Sequence, residues 1–202
     1  KDNAKVSNFH NKNLIHFLPI CTDEINLLGV WAFNHRAKKY GEHADGKTLE
    51  AIKYYYDWLQ EFADYGVTQV VFTGGEPTFH KEFVPLVHAA KQRHGMKTMV
   101  QSNATMLSNP KYTQRLSAAN VDRLFVSFHL ANPEVSDKMT RAPNTWKRTV
   151  QGIEEALRQG YRVGLNCIVE KDNYLYLEEQ AQFIVEHFVR PFPDNPIESM
   201  TY

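Results

Sequence analysis

Short runs rich in β-branched and aromatic residues alternate along this chain with stretches of helical period, and most of those stretches run into a glycine. From Lys47 to Tyr65 the apolar residues Leu49, Ile52, Tyr55, Tyr56, Leu59, Phe62 and Ala63 recur at steps of three and four, and Gly66 follows as a stop. The same pattern predicts helices over about 81–94, closed by Gly95, and over about 145–159, closed by Gly160, with two more over about 110–119 and 175–188. Strands are expected over 14–20, 68–73, 97–101, 123–128 and 162–169. Strands separated by helices of this length make parallel βαβ units with right-handed crossovers. Five such strands are too few for a closed eight-stranded barrel, and their near-continuous apolar character fits a sheet covered by helices. Residues 1–13 read as a polar arm, 14–188 as one folded domain, and 189–202 as a tail or the start of a sixth strand.

Composition narrows the partners. The 202 residues carry 23 acidic and 23 basic side chains with no run of like charge, so a generalised nucleic-acid or membrane footprint is not expected. Only Cys21 and Cys167 are present, which excludes a cysteine-rich metal site and predicts a reducing, cytoplasmic setting. No apolar stretch approaches the ~20 residues needed to span a bilayer. In parallel sheets ligands gather at the carboxyl ends of the strands. Those ends are polar here: Thr73-Gly74-Gly75-Glu76, Ser102-Asn103, Ser127-Phe128-His129 and Glu170-Lys171-Asp172-Asn173.

Gly74-Gly75-Glu76-Pro77 is the most specific of them. Two glycines give backbone freedom or close approach to a ligand, and a carboxylate there can accept from a bound ammonium. Upstream, Ile25-Asn26-Leu27-Leu28-Gly29-Val30-Trp31-Ala32 keeps the Asn, Leu and aromatic of a Cys-Asn-Leu-x-Cys-x-aromatic-Cys loop, with Ile25, Gly29 and Ala32 at the cysteine positions. Ser102-Asn103-Ala104-Thr105-Met106-Leu107 is close to Thr-Asn-Gly-Thr-Leu-Leu, and Val126-Ser127-Phe128-His129-Leu130 is close to Val-Ser-Leu-Asp-Gly, with Arg141 following. Over roughly Leu14 to Phe188 the chain thereby resembles the radical S-adenosylmethionine (radical SAM) superfamily.

The resemblance implies an α/β fold, a partial (β/α)6-type parallel barrel with helices on the outer face. It also implies binding of S-adenosylmethionine (SAM) by Trp31, Gly74, Gly75, Glu76, Pro77, Asn103, Ser127 and Arg141. In the family three thiolates hold a four-iron four-sulfur cluster that breaks the carbon–sulfur bond of SAM. Soft, charge-donating sulfur suits that task, and Ile, Gly and Ala side chains offer no donor, so no such cluster is expected here. Starting the motif at Cys21 supplies one thiolate and loses the match at Asn26, Leu27 and Trp31. His16, His35, His43 and His129 have no spacing that suggests imidazole ligands.

Each site residue also has a structural role to set beside the ligand role. Glu76 can cap the following helix, Asn103 and Ser127 can satisfy loop backbone, and Arg141 can sit on a helix surface near Asp137. Trp31 can pack in the core, and Cys167, placed mid-strand, reads as a small buried hydrophobe. The first functional expectation is a cluster-less SAM- or nucleotide-binding protein acting as a partner or regulator. The alternatives are an altered version of an active radical SAM enzyme, or a cluster-independent enzyme using Glu76, His129 and Glu170 as acid and base groups.

Overall fold

The structure, a computed structural model, describes residues 27–30, 55–73 and 76–201, the first four as backbone. The expected strand 14–20 and residues 47–54 of the expected first helix lie outside the described residues. Two compact units divide the chain, Lys1–Met99 and Val100–Tyr202.

In the first unit, strand β1 (Leu27–Val30) pairs in parallel with β2 (Gln69–Phe72), Leu28 opposite Val70 and Gly29 opposite Val71. This corrects the expectation of a loop at Ile25 to Ala32, since Gly29 is a strand residue. Helix α1, described over residues 55–64, buries Leu59 and Phe62, three positions apart on one face. It ends with Gly66 in the left-handed region at φ +78°, where Gly66 N–H donates to Ala63 O and Val67 N–H to Phe62 O. That pair of bonds satisfies the last carbonyls of the helix and favours a residue without a Cβ. Val70, Val71 and Phe72 are all buried, as a strand covered on both faces requires. Phe72 meets the edge of Phe83, the first residue of α2 (Phe83–Gln92), and Lys97 N–H donates to Thr68 O where β3 (Lys97–Ser102) begins. The strand order in this unit is β1-β2-β3.

The second unit takes up the last residues of β3 and continues with α3 (Pro110–Ala118), β4 (Arg123–Ser127), α4 (Pro133–Thr140) and α5 (Trp146–Arg158). Strand β5 (Val163–Asn166), α6 (Leu177–Ile184) and β6 (Ser199–Thr201) complete it. Its strand order is β3-β4-β5-β6, with β4–β5 and β5–β6 parallel. Leu124, Val126, Val163 and Leu165 are fully buried in the strands, as is Ile153 on α5. Gly160 closes α5 at φ +79° with the same pair of bonds seen at Gly66, from Gly160 N–H to Leu157 O and Tyr161 N–H to Ala156 O.

Three features depart from the sequence reading. Helix α4, expected only as a helix surface for Arg141 and without bounds, starts at Asn132-Pro133-Glu134: Asn132 Oδ1 accepts from Glu134 N and Val135 N, with proline at the first helical position. Strand β5 stops at Asn166 rather than 169, so Cys167 lies past the strand's end and not at its middle, although it is buried as expected. Helix α6 starts at Leu177 and gives way to a π-helical turn at Val185–Val189, with Arg190 N–H donating to Val185 O. At the other end of the strands the Glu198 carboxylate accepts from Arg162 Nε, and Arg123 NH2 donates to Ser199 Oγ at 2.7 Å. Arg123 Nε is 3.2 Å from Glu198 Oε2 but poorly aligned for a hydrogen bond, so that contact is charge attraction alone.

Candidate functional site

In the first unit, the turn after β2 is organised around Glu76, which is only 4% exposed. Its Oε1 accepts from Thr78 N at 3.2 Å and Thr78 Oγ1 at 2.5 Å, capping a 3-10 turn at Pro77–Phe79. Proline at the first position of that turn lacks the N–H that would otherwise go unsatisfied. A buried carboxylate fixed in this way presents its charge in one orientation. Gly74, Gly75 and Trp31 lie outside the described residues, as do Ile25, Ala32, Cys21, His16, His35 and His43.

A hollow of about 560 Å³ in the same unit is lined by Tyr56, Asp57, Gln60, Ala63, Arg93 and His94. It lies on α1 and the end of α2, and no strand-end residue lines it. Burial and the charge of Glu82 raise the Tyr56 hydroxyl, and the Arg93 guanidinium over its ring opposes them. The chemistry-bearing residues are at the turns, so the hollow is not the candidate site.

In the second unit the turn after β3 is held by bonds between close neighbours. Ser102 Oγ accepts from Ala104 N at 2.9 Å, and Asn103 Oδ1 accepts from Thr105 N at 2.9 Å and Thr105 Oγ1 at 2.7 Å. Ala104 stands at φ +60°, a conformation in which a side chain is strained. Helix α5 fastens the turn from outside: Thr149 Oγ1 donates to Asn103 O and Arg148 NH2 to Thr105 O. A Cβ on Gly152 would meet Ala104 O at 2.0 Å, so only glycine allows α5 to come this close. The Asn103 oxygen is thus committed to the turn.

Beyond β4 and β5 a second group converges. Ser127 ends β4, half-buried and in register with Asn166. His129 Nδ1 accepts from Ile168 N at 3.2 Å, which assigns its proton to Nε2. Burial pushes the imidazole below its usual range, and the Glu170 carboxylate pulls the other way. Asn173, fully buried, donates from Nδ2 to His129 O at 3.0 Å and Ile168 O at 2.8 Å, while its Oδ1 accepts from Glu170 N at 2.7 Å. The Cys167 thiol donates to His129 O at 3.3 Å, and burial pushes it up. Asn173 was passed over as one more loop residue. Its bonds to Ile168 O and Glu170 N are local, but the one that ties it to β4, to His129 O, spans 44 positions.

His129 and Glu170 therefore share a neighbourhood, whereas Glu76 caps a turn in the other unit. Arg141 is exposed and forms the left-handed C-cap of α4 at φ +54°. Its backbone N–H donates to Asp137 O, as a place beside that residue requires, while the Asp137 carboxylate accepts from Asn144 N and Trp146 N and joins α4 to α5. Among the described residues, no group of three or more His, Cys, Asp or Glu could hold a metal ion. No described helix is long and apolar enough to cross a membrane.

Residues 33–184 match the profile of the Radical SAM superfamily. The matched span begins directly after Ala32. A probable GTP 3',8-cyclase of Methanosarcina acetivorans is 31% identical over 136 residues, 66% of this chain and 38% of that protein. The AdoMet-dependent heme synthase of Methanosarcina barkeri is 29% identical over 126 residues, 62% of this chain and 35% of that protein. The chain thus spans under two fifths of the length of these relatives. Among solved structures, Streptococcus suis SuiB bound to S-adenosylmethionine superposes with a TM-score of 0.55 at 18% identity, covering 73% of this chain and 36% of that one. Coproporphyrinogen III oxidase from Escherichia coli, a radical SAM enzyme, gives 0.52 at 14% identity over 79% of this chain and 38% of its own. These likenesses agree with the α/β partial-barrel class expected from the sequence.

Proposed function

The chain belongs to the Radical SAM superfamily, and on that premise we propose that it binds SAM or a related nucleotide without a cluster of its own, serving as a partner or regulatory protein. One observation carries this reading: Gly74-Gly75-Glu76-Pro77 persists, with a buried and oriented Glu76, while Ile25, Gly29 and Ala32 occupy the thiolate positions. An alkyl group or a hydrogen has no electron pair to give iron, so these residues do not fit the cluster.

Glu76 is the proposed acceptor for the ligand ammonium. Its negative charge in a nearly dry setting makes a charge-assisted bond stronger than the same bond in water. Trp31, Gly74, Gly75 and Pro77 are proposed to complete the methionine and adenine contacts, and Asn103, Ser127 and Arg141 remain proposed ligand contacts of the second unit. The acid–base alternative draws less support, because His129 Nδ1 is already engaged by Ile168 N–H and only Nε2–H is left to act. Calorimetry of the full chain with SAM, together with an iron assay, tests the proposal. Saturable binding without iron is expected. Glu76→Gln keeps an oxygen for Thr78 but loses the charge, and should weaken SAM by about tenfold, ~1.4 kcal/mol. No binding at all, or a cluster absorption band after anaerobic reconstitution, overturns it.

A further inference from the structure

The segment beyond β5 exposes apolar side chains that a folded chain usually covers. Ile168, Val169, Tyr174, Leu175 and Tyr176 all face solvent, with Leu175 at 75% exposure and Ile168 and Tyr174 each at 53%. Such a concentration within nine positions is the composition of a contact surface rather than of ordinary loop. The two apolar arms are folded back beside each other, because Asn173 Nδ2 donates to Ile168 O and Tyr174 N–H donates to Glu170 O at 3.0 Å. Asn173 is fully buried and also grips His129 O, so this face is ordered before anything binds. A preformed surface loses less conformational freedom on association.

Charge selects the occupant. Glu170, Asp172, Glu178 and Glu179 interrupt or follow this run beside Lys171, all of them exposed, in a chain whose 23 acidic and 23 basic residues balance as a whole. That rim repels an anionic lipid surface and a second copy of the same acidic face. We propose that this face docks a basic amphipathic segment of a partner protein, with Leu175 and Tyr174 as apolar anchors and the carboxylates meeting its lysines or arginines. The proposal is independent of SAM binding.

Fluorescence anisotropy of the full chain with a labelled synthetic amphipathic helix of leucine and lysine tests it, beside a leucine and glutamate counterpart and phosphatidylserine vesicles. The basic peptide should bind saturably and lose affinity with added salt. Affinity should fall about tenfold or more in Tyr174→Ser/Leu175→Ser and in Glu178→Lys/Glu179→Lys. Tyr65→Ser, which alters an exposed aromatic of the first unit, should leave it unchanged. Because Tyr174 and Leu175 are exposed, their replacement leaves the fold intact, which circular dichroism checks. Equal affinity for the acidic peptide, vesicle binding, indifference to Tyr174→Ser/Leu175→Ser, or self-association that this variant abolishes would each overturn the proposal.

Discussion

The turn after β3 and the corner that joins the ends of β4 and β5 are both polar and tightly held, but by different means. At Ser102 to Thr105 the side chains bond backbone two positions away. At the β4–β5 corner one buried side chain, Asn173, ties together backbone groups that are distant in sequence. Local bonds form with little loop-closure cost, whereas the corner exists only once β4 and β5 are side by side. The first region should therefore fail by crowding from outside, and the second by loss of a single group.

Gly152→Ala breaks the comparison most severely. The new methyl would fall on the Ala104 carbonyl, and either α5 or the turn must move. A loss of about 3 kcal/mol is expected in denaturant unfolding. Retaining wild-type stability would mean that α5 does not clamp the turn. Asn173→Ala comes next, at about 2 kcal/mol, because His129 O, Ile168 O and Glu170 N each lose a partner. Hydrogen exchange should accelerate through 168–174 and leave 102–105 unaffected; uniform acceleration of both would show that the two regions do not open separately.

Acid titration is the mildest test and sharpens the contrast. Neutral His129 accepts from Ile168 N, and its folded value lies below the usual one, so the native state disfavours the extra proton. The stabilisation is therefore complete above about pH 6.5, the unfolded value, and is lost as pH falls through the lower folded value. Glu170 moderates the effect by favouring the charged ring. Thermal unfolding across this range should show a downward limb that His129→Gln removes. A limb unchanged in the variant would assign it to another group.

Legibility in the sequence follows the same division. The helix ends at Gly66 and Gly160 could be read because a left-handed cap is a local demand. The Asn103 turn and the Glu76 cap were available as local alternatives for the same reason. A sixth strand was one of two readings open for residues 189–202, and what marks it, Arg123 reaching Ser199 and Arg162 reaching Glu198, no short window of residues contains. Strand β1 hid behind a motif usually found in a loop, although Leu27 to Val30 pairs in parallel with β2. Asn173 was obscured by its polar neighbours Lys171 and Asp172, which are exposed as loop residues normally are.

Cys167 is 1% exposed and bonded to the carbonyl of His129, so it can react with an alkylating reagent only when the corner around it has opened. The molecule thus contains its own reporter. Mass-resolved labelling at this one sulfur reads how often the β4–β5 corner breathes, without a probe being introduced.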